Sequence, residues 1–288
     1  MLHPLPAVSD LYAALRASGT APEALPALIS GSDPETARRL LSVDQGLLRA
    51  ILRAGEGLEA VEGAAALRQY LARLSPAPLF HPDVAIAPSA LLLTNGERPD
   101  MPAFSDRAFD EWFAAQGVPY GIGIYGEDRR VYRSAQFADA ASPERRTRHL
   151  GIDVFAPAGT AIYAPLTGVV RHAAYNADAL DYGHTLILEH DGDGQPFFTL
   201  YGHLGASLPR LLQPGNRVQP GQLIAHLGDW PENGGWAPHV HFQIMATLLD
   251  QRGGNFFGVG QSSLWDIWQD ICPDPNLILR LRAAQIAQ

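Results

Sequence analysis

The chain has 288 residues, of which 47% are hydrophobic and 18% are charged. The length indicates about two domains. The composition is that of an ordinary globular protein, and it excludes a disordered, collagen-like or coiled-coil chain. The formal net charge of −9 argues against nucleic acid or an anionic membrane surface as a partner.

The basic and sulfur-containing residues exclude further classes. All 21 basic residues are arginines, so Schiff-base and pyridoxal-phosphate enzymes and P-loop proteins, which need a lysine, are excluded. Cys272 is the one cysteine, which rules out an internal disulfide and a cysteine-rich zinc site. The N-terminal residues do not resemble a signal peptide, and no run reaches the ~18–20 apolar residues of a membrane span, so we expect a cytoplasmic protein.

Residues 1–105 are predicted to form a helical N-terminal module that ends in a Pro-rich linker. Asp10 and Asp33 are placed to cap helices, and Pro34 follows at the first helical position. A third helix is predicted from Glu59 to Leu74, and six prolines between residues 76 and 105 indicate the linker. The module carries no chemical motif, so we expect it to pack on the rest of the chain or to bind a protein partner.

The pattern changes to short strands within residues 106–250. A helix is predicted from Ser105-Asp106 through Phe113, and residues 121–127 and 129–134 are predicted to form a hairpin. Seven β-type runs then alternate with turns between residues 152 and 245, which indicates an antiparallel sheet because no helices intervene. We therefore predict an α+β fold: the helical module, an antiparallel β domain over residues 106–250, and a C-terminal tail, residues 251–288, that packs on it.

Histidines are concentrated in this β region. Eight of the ten lie between residues 149 and 241, which favours a metal site because imidazole is a common zinc ligand. His149 and Asp153 open one strand, with Gly151 between them to allow a close approach of the backbone. His203 ends another strand.

A further strand contains His239 and His241. Residues two apart in a strand share a face, so these two histidines are predicted to point the same way while Val240 and Phe242 face the core. Two histidines and one aspartate suffice for a catalytic zinc site, in which three protein ligands leave one position open.

Five segments, taken together, resemble the lysostaphin-type (LytM-like) zinc metallopeptidases, a family of peptidoglycan endopeptidases. They are HLGIDVF, YGHTLILEH, LYGHL, NRVQPGQLIAHLG and APHVHFQI, within residues 145–246. The resemblance implies a β domain like the duplicated hybrid motif, one Zn²⁺ per chain, and a peptide or muropeptide-like substrate.

The resemblance also assigns roles to residues. It makes His149, Asp153 and His241 the zinc ligands. His203 and His239 become the catalytic pair that orients the water and stabilises the oxyanion. The chain has no HExxH motif, so the histidine pair must serve as the base, and imidazole titrates in the right range for that task.

The chain departs from the family pattern at several positions. Gln243 stands where the family often has Glu, and His184 stands where it often has Asn, so both are interpreted as residues that support the ligands from behind. Trp230 and Trp236 lie in an unusual loop before His239 and are interpreted as substrate-binding residues at the rim of the groove.

Other interpretations stay open at this point. The domain is either an active peptidase, a catalytically silent binding module, or a cytoplasmic amide hydrolase with a substrate outside the cell wall. The tail from GNFFGVG to CPDPN resembles the tails of metallopeptidase segments in cytoplasmic fusion proteins that also carry a kinase-like domain and an aminotransferase. Arg145, Arg146 and Arg148 form either a solvated charge run or a grip for a substrate carboxylate.

Overall fold

The computed structural model describes residues 5, 7–94, 98–129 and 137–287. In this part of the chain the α-helices are α1 (Leu11–Ala17), α2 (Leu25–Gly31), α3 (Pro34–Leu41), α4 (Gln45–Gly55), α5 (Ala64–Arg73), α6 (Ala108–Ala114), α7 (Leu208–Leu211), α8 (Trp265–Ile271), α9 (Asn276–Leu279) and α10 (Ala283–Ile286). Two short 3-10 helices span Pro22–Ala24 and Ser262–Leu264. Over these described ranges, none of the helices combines the length and apolar character needed to cross a membrane.

Within the described residues, the strands form one large sheet and two small ones. They are β1 (Ser89–Leu91), β2 (Tyr120–Gly123), β3 (Arg148–His149), β4 (Ile152–Phe155), β5 (Ala161–Tyr163), β6 (Gly168–Asn176), β7 (Gly183–Asp191), β8 (Pro196–Leu204), β9 (Arg217–Val218), β10 (Leu223–His226), β11 (His239–Met245) and β12 (Val259–Gly260). The large sheet has the order β1-β2-β4-β11-β8-β7-β6-β9, and β10 pairs with β5 and β12 with β3. All of these pairs are antiparallel except β1–β2.

The helix starts follow the predicted caps. The side chain of Asp10 accepts a hydrogen bond from the backbone of Ala13, and that of Asp33 accepts from Glu35 and Thr36. The helix predicted from Glu59 begins five residues later, because the Glu59 carboxylate accepts from the amides of Gly63 and Ala65 at 2.9 Å and so caps α5 from outside. The segment from Pro22 to Gly31 is also helical, which agrees with a helical module although no separate helix was predicted there.

The segment predicted as a linker is instead part of the folded core. Strand β1 joins the large sheet beside β2, and Leu79, Phe80 and Val84 are at most 2% exposed. The prolines break helical structure, but the apolar residues between them are buried against the sheet. In the first arm of the predicted hairpin, β2 pairs with β1 and β4. Residues 130–134 of the second arm lie outside the described residues.

The two faces of the large sheet pack against different layers. Val240 and Phe242 point into a core that includes Leu71 of α5, as their alternation with the histidines predicts. On the opposite face, Leu200 and Met245 lie in a second cluster. This second cluster is shared with the N-terminal helices and the C-terminal tail: Leu11, Tyr12, Leu15, Leu47, Leu48, Ile51, Ile267, Trp268 and Ile271. The predicted α+β fold is confirmed, and the N-terminal helices and the tail cover part of the sheet face that also carries the predicted site.

A buried histidine at the other end of the sheet makes stability dependent on pH. His190 is 4% exposed; it donates to the Thr167 carbonyl and accepts from the Thr199 hydroxyl, each at 2.8 Å. Burial lowers its pKa from 6.5 to about 4. The unfolded chain therefore binds the proton first, and the stability contributed by neutral His190 is lost as the pH falls from about 6.5 to about 4.

We expect this residue alone to reduce the free energy of unfolding by about 2 kcal/mol between pH 7 and pH 5. Urea unfolding at the two pH values, with a chelator present so that metal release does not contribute, measures the effect. The variant His190→Gln should show a smaller loss over the same interval. An equal loss in both proteins would contradict the assignment.

Candidate metal centre and active site

Three strands bring the predicted metal ligands together. Asp153 on β4 and His241 on β11 are directly paired in the sheet and lie on the same face. His149 ends β3, the short strand just before β4. Gly151 allows this arrangement, because a Cβ atom there would lie 2.5 Å from Cε1 of His241. The close approach expected at Gly151 is therefore required by the ring of His241.

The donor atoms of these residues form a small triangle. Nε2 of His149 lies 3.0 Å from Nδ1 of His241 and 3.2 Å from Oδ1 of Asp153, and the latter two atoms are 3.0 Å apart. Bonds of ~2.0 Å to a tetrahedral Zn²⁺ place neighbouring donors about 3.3 Å apart. The triangle therefore has nearly the size of one face of a zinc coordination shell.

Hydrogen bonds behind the triangle fix which ring nitrogens carry protons. Nδ1 of His149 lies 2.8 Å from the carbonyl oxygen of Ile124, and Nε2 of His241 lies 2.8 Å from Oε1 of Gln243. Both partners accept, so these two nitrogens donate. In the neutral rings the other nitrogen of each has a lone pair, and both lone pairs face the carboxylate of Asp153. Three acceptors at this spacing need a cation between them, so the residues fit a divalent metal.

Burial and charge favour these protonation states. His149 and Asp153 are at most 2% exposed. Burial, followed by the charge of Arg129, lowers the pKa of His149. Burial by itself raises the pKa of Asp153, but the guanidinium of Arg129, 2.7 Å from Oδ2, favours the carboxylate and holds the pKa well below its usual range. The site therefore presents a neutral imidazole beside an ionised carboxylate, which are the forms that bind a metal.

The predicted catalytic pair lies beside the triangle. His203 and His239 are 6% and 4% exposed, and their ring centroids are 4.3 Å apart. Nε2 of His239 is 4.0 Å from Oδ1 of Asp153. His203 has a φ of 61°, a conformation that costs a non-glycine residue about 1–2 kcal/mol and is enriched at functional sites.

The unusual loop of residues 229–237 orients both histidines of this pair. Nδ1 of His203 donates to the carbonyl of Asn233 at 2.8 Å, and Nδ1 of His239 donates to that of Ala237 at 2.7 Å. Both Nε2 atoms are therefore unprotonated in the neutral rings. Burial lowers the pKa of both histidines, that of His239 to about 4 and that of His203 well below its usual range. Each ring can accept a proton through Nε2.

The site lies at the bottom of a cavity of about 340 Å³. The cavity contains the three predicted ligands and both predicted catalytic histidines. Its other lining residues are Phe104, Arg129, Phe137, Arg146, Asp178, Leu180, Asp181, Tyr182, Trp236, Gln251, Asn255, Phe256, Phe257, Gly258 and Val259. Residues 255–259 of the tail thus form part of the wall, so the tail contributes to the cavity as well as covering part of the sheet face.

The two tryptophans of the loop differ in position. Trp236 lines the cavity, and its ring lies 6.1 Å from that of His203. Trp230 is 5% exposed and does not line the cavity; its indole donates to Asp110 of α6 at 2.8 Å. The structure therefore places only Trp236 where it can contact a substrate, while Trp230 anchors the loop to α6.

The two predicted supporting residues also differ. Gln243 is fully buried and accepts from Nε2 of His241, while its amide nitrogen donates to the Phe257 carbonyl at 3.1 Å and to Sγ of Cys272 at 3.3 Å. His184 is half-buried and stacks on Tyr175, with ring centroids 4.4 Å apart. It does not line the cavity.

Several lining residues were not predicted from the sequence, and two of them lie against the predicted ligands. Arg129 is 2% exposed and donates to Oδ2 of Asp153 at 2.7 Å and to Glu127 at 2.9 Å. Tyr182 is 7% exposed, and its ring lies 5.2 Å from that of His241. Tyr182 belongs to the segment YGHTLILEH, so the family resemblance covered it. No pattern pointed to Arg129.

Comparison with known proteins identifies the segment that carries the site. Residues 147–252 match the model of peptidase family M23. This segment is an M23 peptidase domain. The resemblance seen in the sequence is thereby confirmed, and the match includes all the residues predicted as ligands or catalytic groups.

Two curated relatives are similar to part of the chain. An "Uncharacterized metalloprotease" of Haemophilus influenzae is 31% identical over 140 residues, which cover 46% of this chain and 27% of that protein. The "Peptidoglycan DD-endopeptidase ShyC" of Vibrio cholerae is 35% identical over 104 residues, 36% of this chain and 22% of that protein. The chain thus spans about a quarter of the length of the curated relatives it matches.

Among solved structures, a zinc-containing peptidase from Vibrio cholerae is 31% identical. The match covers 35% of this chain and 28% of that one, with a TM-score of 0.29.

The amide of Gln243 should control metal affinity in the M23 domain. In the variant Gln243→Leu, Nε2–H of His241 loses its buried acceptor, and the ring is no longer held with Nδ1 towards the metal. Loss of such a partner behind a ligand typically lowers metal affinity about 10–100-fold. Competition with a chromogenic zinc chelator measures the affinity.

The matched variant is Gln243→Glu, which keeps an acceptor for His241. We expect its zinc affinity to stay close to that of the wild type. Equal affinities of Gln243→Leu and the wild type would show that the hydrogen bond does not set the orientation of the ring.

Proposed function

We propose that the protein is a zinc-dependent metallo-endopeptidase that hydrolyses a peptide or amide bond, and that its substrates are peptidoglycan-type peptides. One observation carries the proposal: three proton-free donor atoms converge at 3.0–3.2 Å beside two histidines with free Nε2 atoms. His149, Asp153 and His241 would hold one Zn²⁺ and leave a fourth position open towards the cavity. Bound there, the metal polarises the scissile carbonyl and acidifies the attacking water.

The chain's own residues supply the proton transfers. A histidine pair with free Nε2 atoms can take a proton from the attacking water and return it to the leaving amine. Once protonated, the same imidazole is a cation next to the developing oxyanion and stabilises it. The carbonyls of Asn233 and Ala237 keep His203 and His239 in the tautomer that these steps need.

The substrate class is supported by the relatives. The Vibrio cholerae relative is named a peptidoglycan DD-endopeptidase, and its similarity to this chain extends over 104 residues. A half-buried tryptophan, Trp236, lies at the cavity wall near the catalytic pair and can stack on a substrate.

Digestion of purified muropeptides by the zinc-loaded protein tests the proposal. We expect cross-linked muropeptide dimers to be cleaved, with one new amino group per bond, and the variant Asp153→Ala to be inactive. If unrelated short peptides are cleaved but muropeptides are not, the substrate lies outside the cell wall. If the zinc-loaded protein cleaves none of them, the domain is a binding module.

A further inference from the structure

The side-chain amide of Gln243 is hydrogen-bonded at both ends. Its oxygen Oε1 accepts from Nε2–H of His241 at 2.8 Å, and its nitrogen donates to the Phe257 carbonyl at 3.1 Å and to Sγ of Cys272 at 3.3 Å. Gln243 and Cys272 are both 0% exposed. Each of the two N–H groups of the amide therefore has one acceptor, and both acceptors belong to the C-terminal tail.

The two acceptors are held in place by contacts of the tail with the rest of the protein. Phe257 directly precedes Gly258, whose carbonyl accepts from the amide of Leu150 at 3.0 Å. Cys272 follows α8, and its own carbonyl accepts from the Tyr125 hydroxyl at 2.7 Å. Both acceptors lie beyond residues 147–252, which match the M23 model, so the support behind His241 comes from a segment that follows the family match.

The opposite orientation of the Gln243 amide would be poorly paired. Its oxygen would then face the Phe257 carbonyl, which has no hydrogen to donate, and the Cys272 thiol, which is only a weak donor. Burial raises the pKa of this thiol, so the sulfur is a neutral group. A buried polar atom that loses its partner costs the free energy of its desolvation. The tail thus favours the orientation in which Oε1 faces His241.

The orientation of this amide decides which nitrogen of His241 carries the proton. On the other side of the ring, Nδ1 lies 3.0 Å from Oδ1 of Asp153, an acceptor that by itself would favour a proton on Nδ1. A neutral imidazole has one N–H, and Oε1 of Gln243 favours its position at Nε2. A reversed amide would donate to Nε2 and leave the proton on Nδ1, where it occupies the position of the lone pair that a metal needs.

We infer that the C-terminal tail selects the metal-binding tautomer of His241. The Phe257 carbonyl and Sγ of Cys272 fix the amide of Gln243, and the amide keeps the proton of His241 on Nε2. Cys272 is therefore a positioning residue, separated from the ring by two hydrogen bonds. The inference rests on the proposed function, because His241 is one of the proposed zinc ligands.

Nitrogen-15 NMR of the metal-free, full-length protein measures the tautomer directly. Correlations between the ring nitrogens and the carbon-bound ring hydrogens distinguish a protonated nitrogen from an unprotonated one. The protein is labelled with ¹⁵N-histidine and studied at alkaline pH, where imidazole is neutral, and the variant His241→Gln assigns the signals. We expect the proton of His241 on Nε2 in the wild type. A proton on Nδ1 would overturn the inference.

The variant Cys272→Ala removes the sulfur acceptor and leaves one N–H of Gln243 without a partner. We expect a fraction of its molecules to carry the proton of His241 on Nδ1. We also expect the zinc affinity, measured by competition with a chromogenic chelator, to fall about 10-fold, the lower end of the loss caused by removing a group behind a ligand. Cys272→Ser retains an acceptor and should keep both the tautomer and the affinity close to those of the wild type.

Ile267→Val is the control for packing. It removes a methyl group from α8 in the same buried cluster as Cys272, and it should change neither the tautomer nor the zinc affinity. An unchanged tautomer and affinity in Cys272→Ala would overturn the inference, and so would equal losses in Cys272→Ser or Ile267→Val. If Cys272→Ala does not fold, Cys272→Val takes its place, since it fills the space of the thiol without accepting a hydrogen bond.

Failure of the proposed function gives a different result. The tautomer is measured without metal, so it tests the role of the tail whether or not the protein binds zinc. A wild type that takes up no zinc contradicts the proposed function. A tautomer that is the same in the wild type and in Cys272→Ala, together with tight zinc binding by both, contradicts only the role of the tail.

Discussion

We expect the replacement of His149 with alanine to abolish zinc binding. We expect about one zinc per chain in the purified wild type and almost none in His149→Ala, measured by elemental analysis after dialysis. The reason is geometric. Nε2 of His149 lies 3.0 Å from Nδ1 of His241 and 3.2 Å from Oδ1 of Asp153. The variant keeps only these two donor atoms, and two donors do not make a site for zinc. The loss in affinity should exceed the ~10–100-fold that follows removal of a group behind a ligand.

The variant His226→Ala is the matched control. His226 is a half-buried histidine on β10, outside the cavity, and its removal should leave the metal content unchanged. A folding control comes from thermal unfolding: excess zinc should raise the Tm of the wild type and of His226→Ala but not that of His149→Ala, because only a protein that binds the ligand in its native state is stabilised by it. Zinc retained in His149→Ala would mean that the metal is bound elsewhere.

The parts of the site that follow from local rules were predictable from the sequence. His239 and His241 share a face because side chains alternate along a strand, and the same rule sends Val240 and Phe242 into the core on the other side. Gly151 was identified from its position between His149 and Asp153. The helix caps at Asp10 and Asp33 follow equally local preferences.

The parts that depend on contacts distant in sequence were not predictable in this way. Arg129 meets Asp153 across 24 residues, and no spacing rule links a loop arginine to a strand aspartate. Gly123 makes room for the guanidinium, since a Cβ atom there would lie 2.6 Å from Nη2 of Arg129. The pairing of β2 with β4 and the bridge between Asp128 and Arg148 bring these residues together.

The positions of the Pro-rich segment and of Trp230 also depend on contacts between residues distant in sequence. Prolines indicate a break in regular structure, but they do not indicate whether the apolar residues between them are buried against the rest of the protein. Here Phe80 is fully buried, and β1 pairs in parallel with a strand 31 residues later in the chain. The local sequence does not tell whether a loop tryptophan is exposed or buried. In the structure, the hydrogen bond from Trp230 to Asp110 holds this side chain in a buried position.

The second large effect is expected at the histidine pair, where activity and metal binding should separate. The variants His203→Ala and His239→Ala should each lower kcat about 100- to 10,000-fold, the usual contribution of a general acid–base group, while zinc content stays at the wild-type level. The separation follows from the structure: Nε2 of His239 lies 4.0 Å from Oδ1 of Asp153, whereas the three donor atoms lie within 3.2 Å of each other. Zinc analysis and steady-state kinetics on the same preparations measure both quantities.

The double variant tells whether the two histidines act as one unit. Because their rings are 4.3 Å apart and both are held by the loop of residues 229–237, we expect the loss in the double variant to be much smaller than the product of the single losses. His172→Ala, at a half-buried position on β6 that does not line the cavity, should leave kcat unchanged. If either single variant lost its zinc as well as its activity, that histidine would belong to the metal shell, and the division of the five residues into three ligands and a catalytic pair would be wrong.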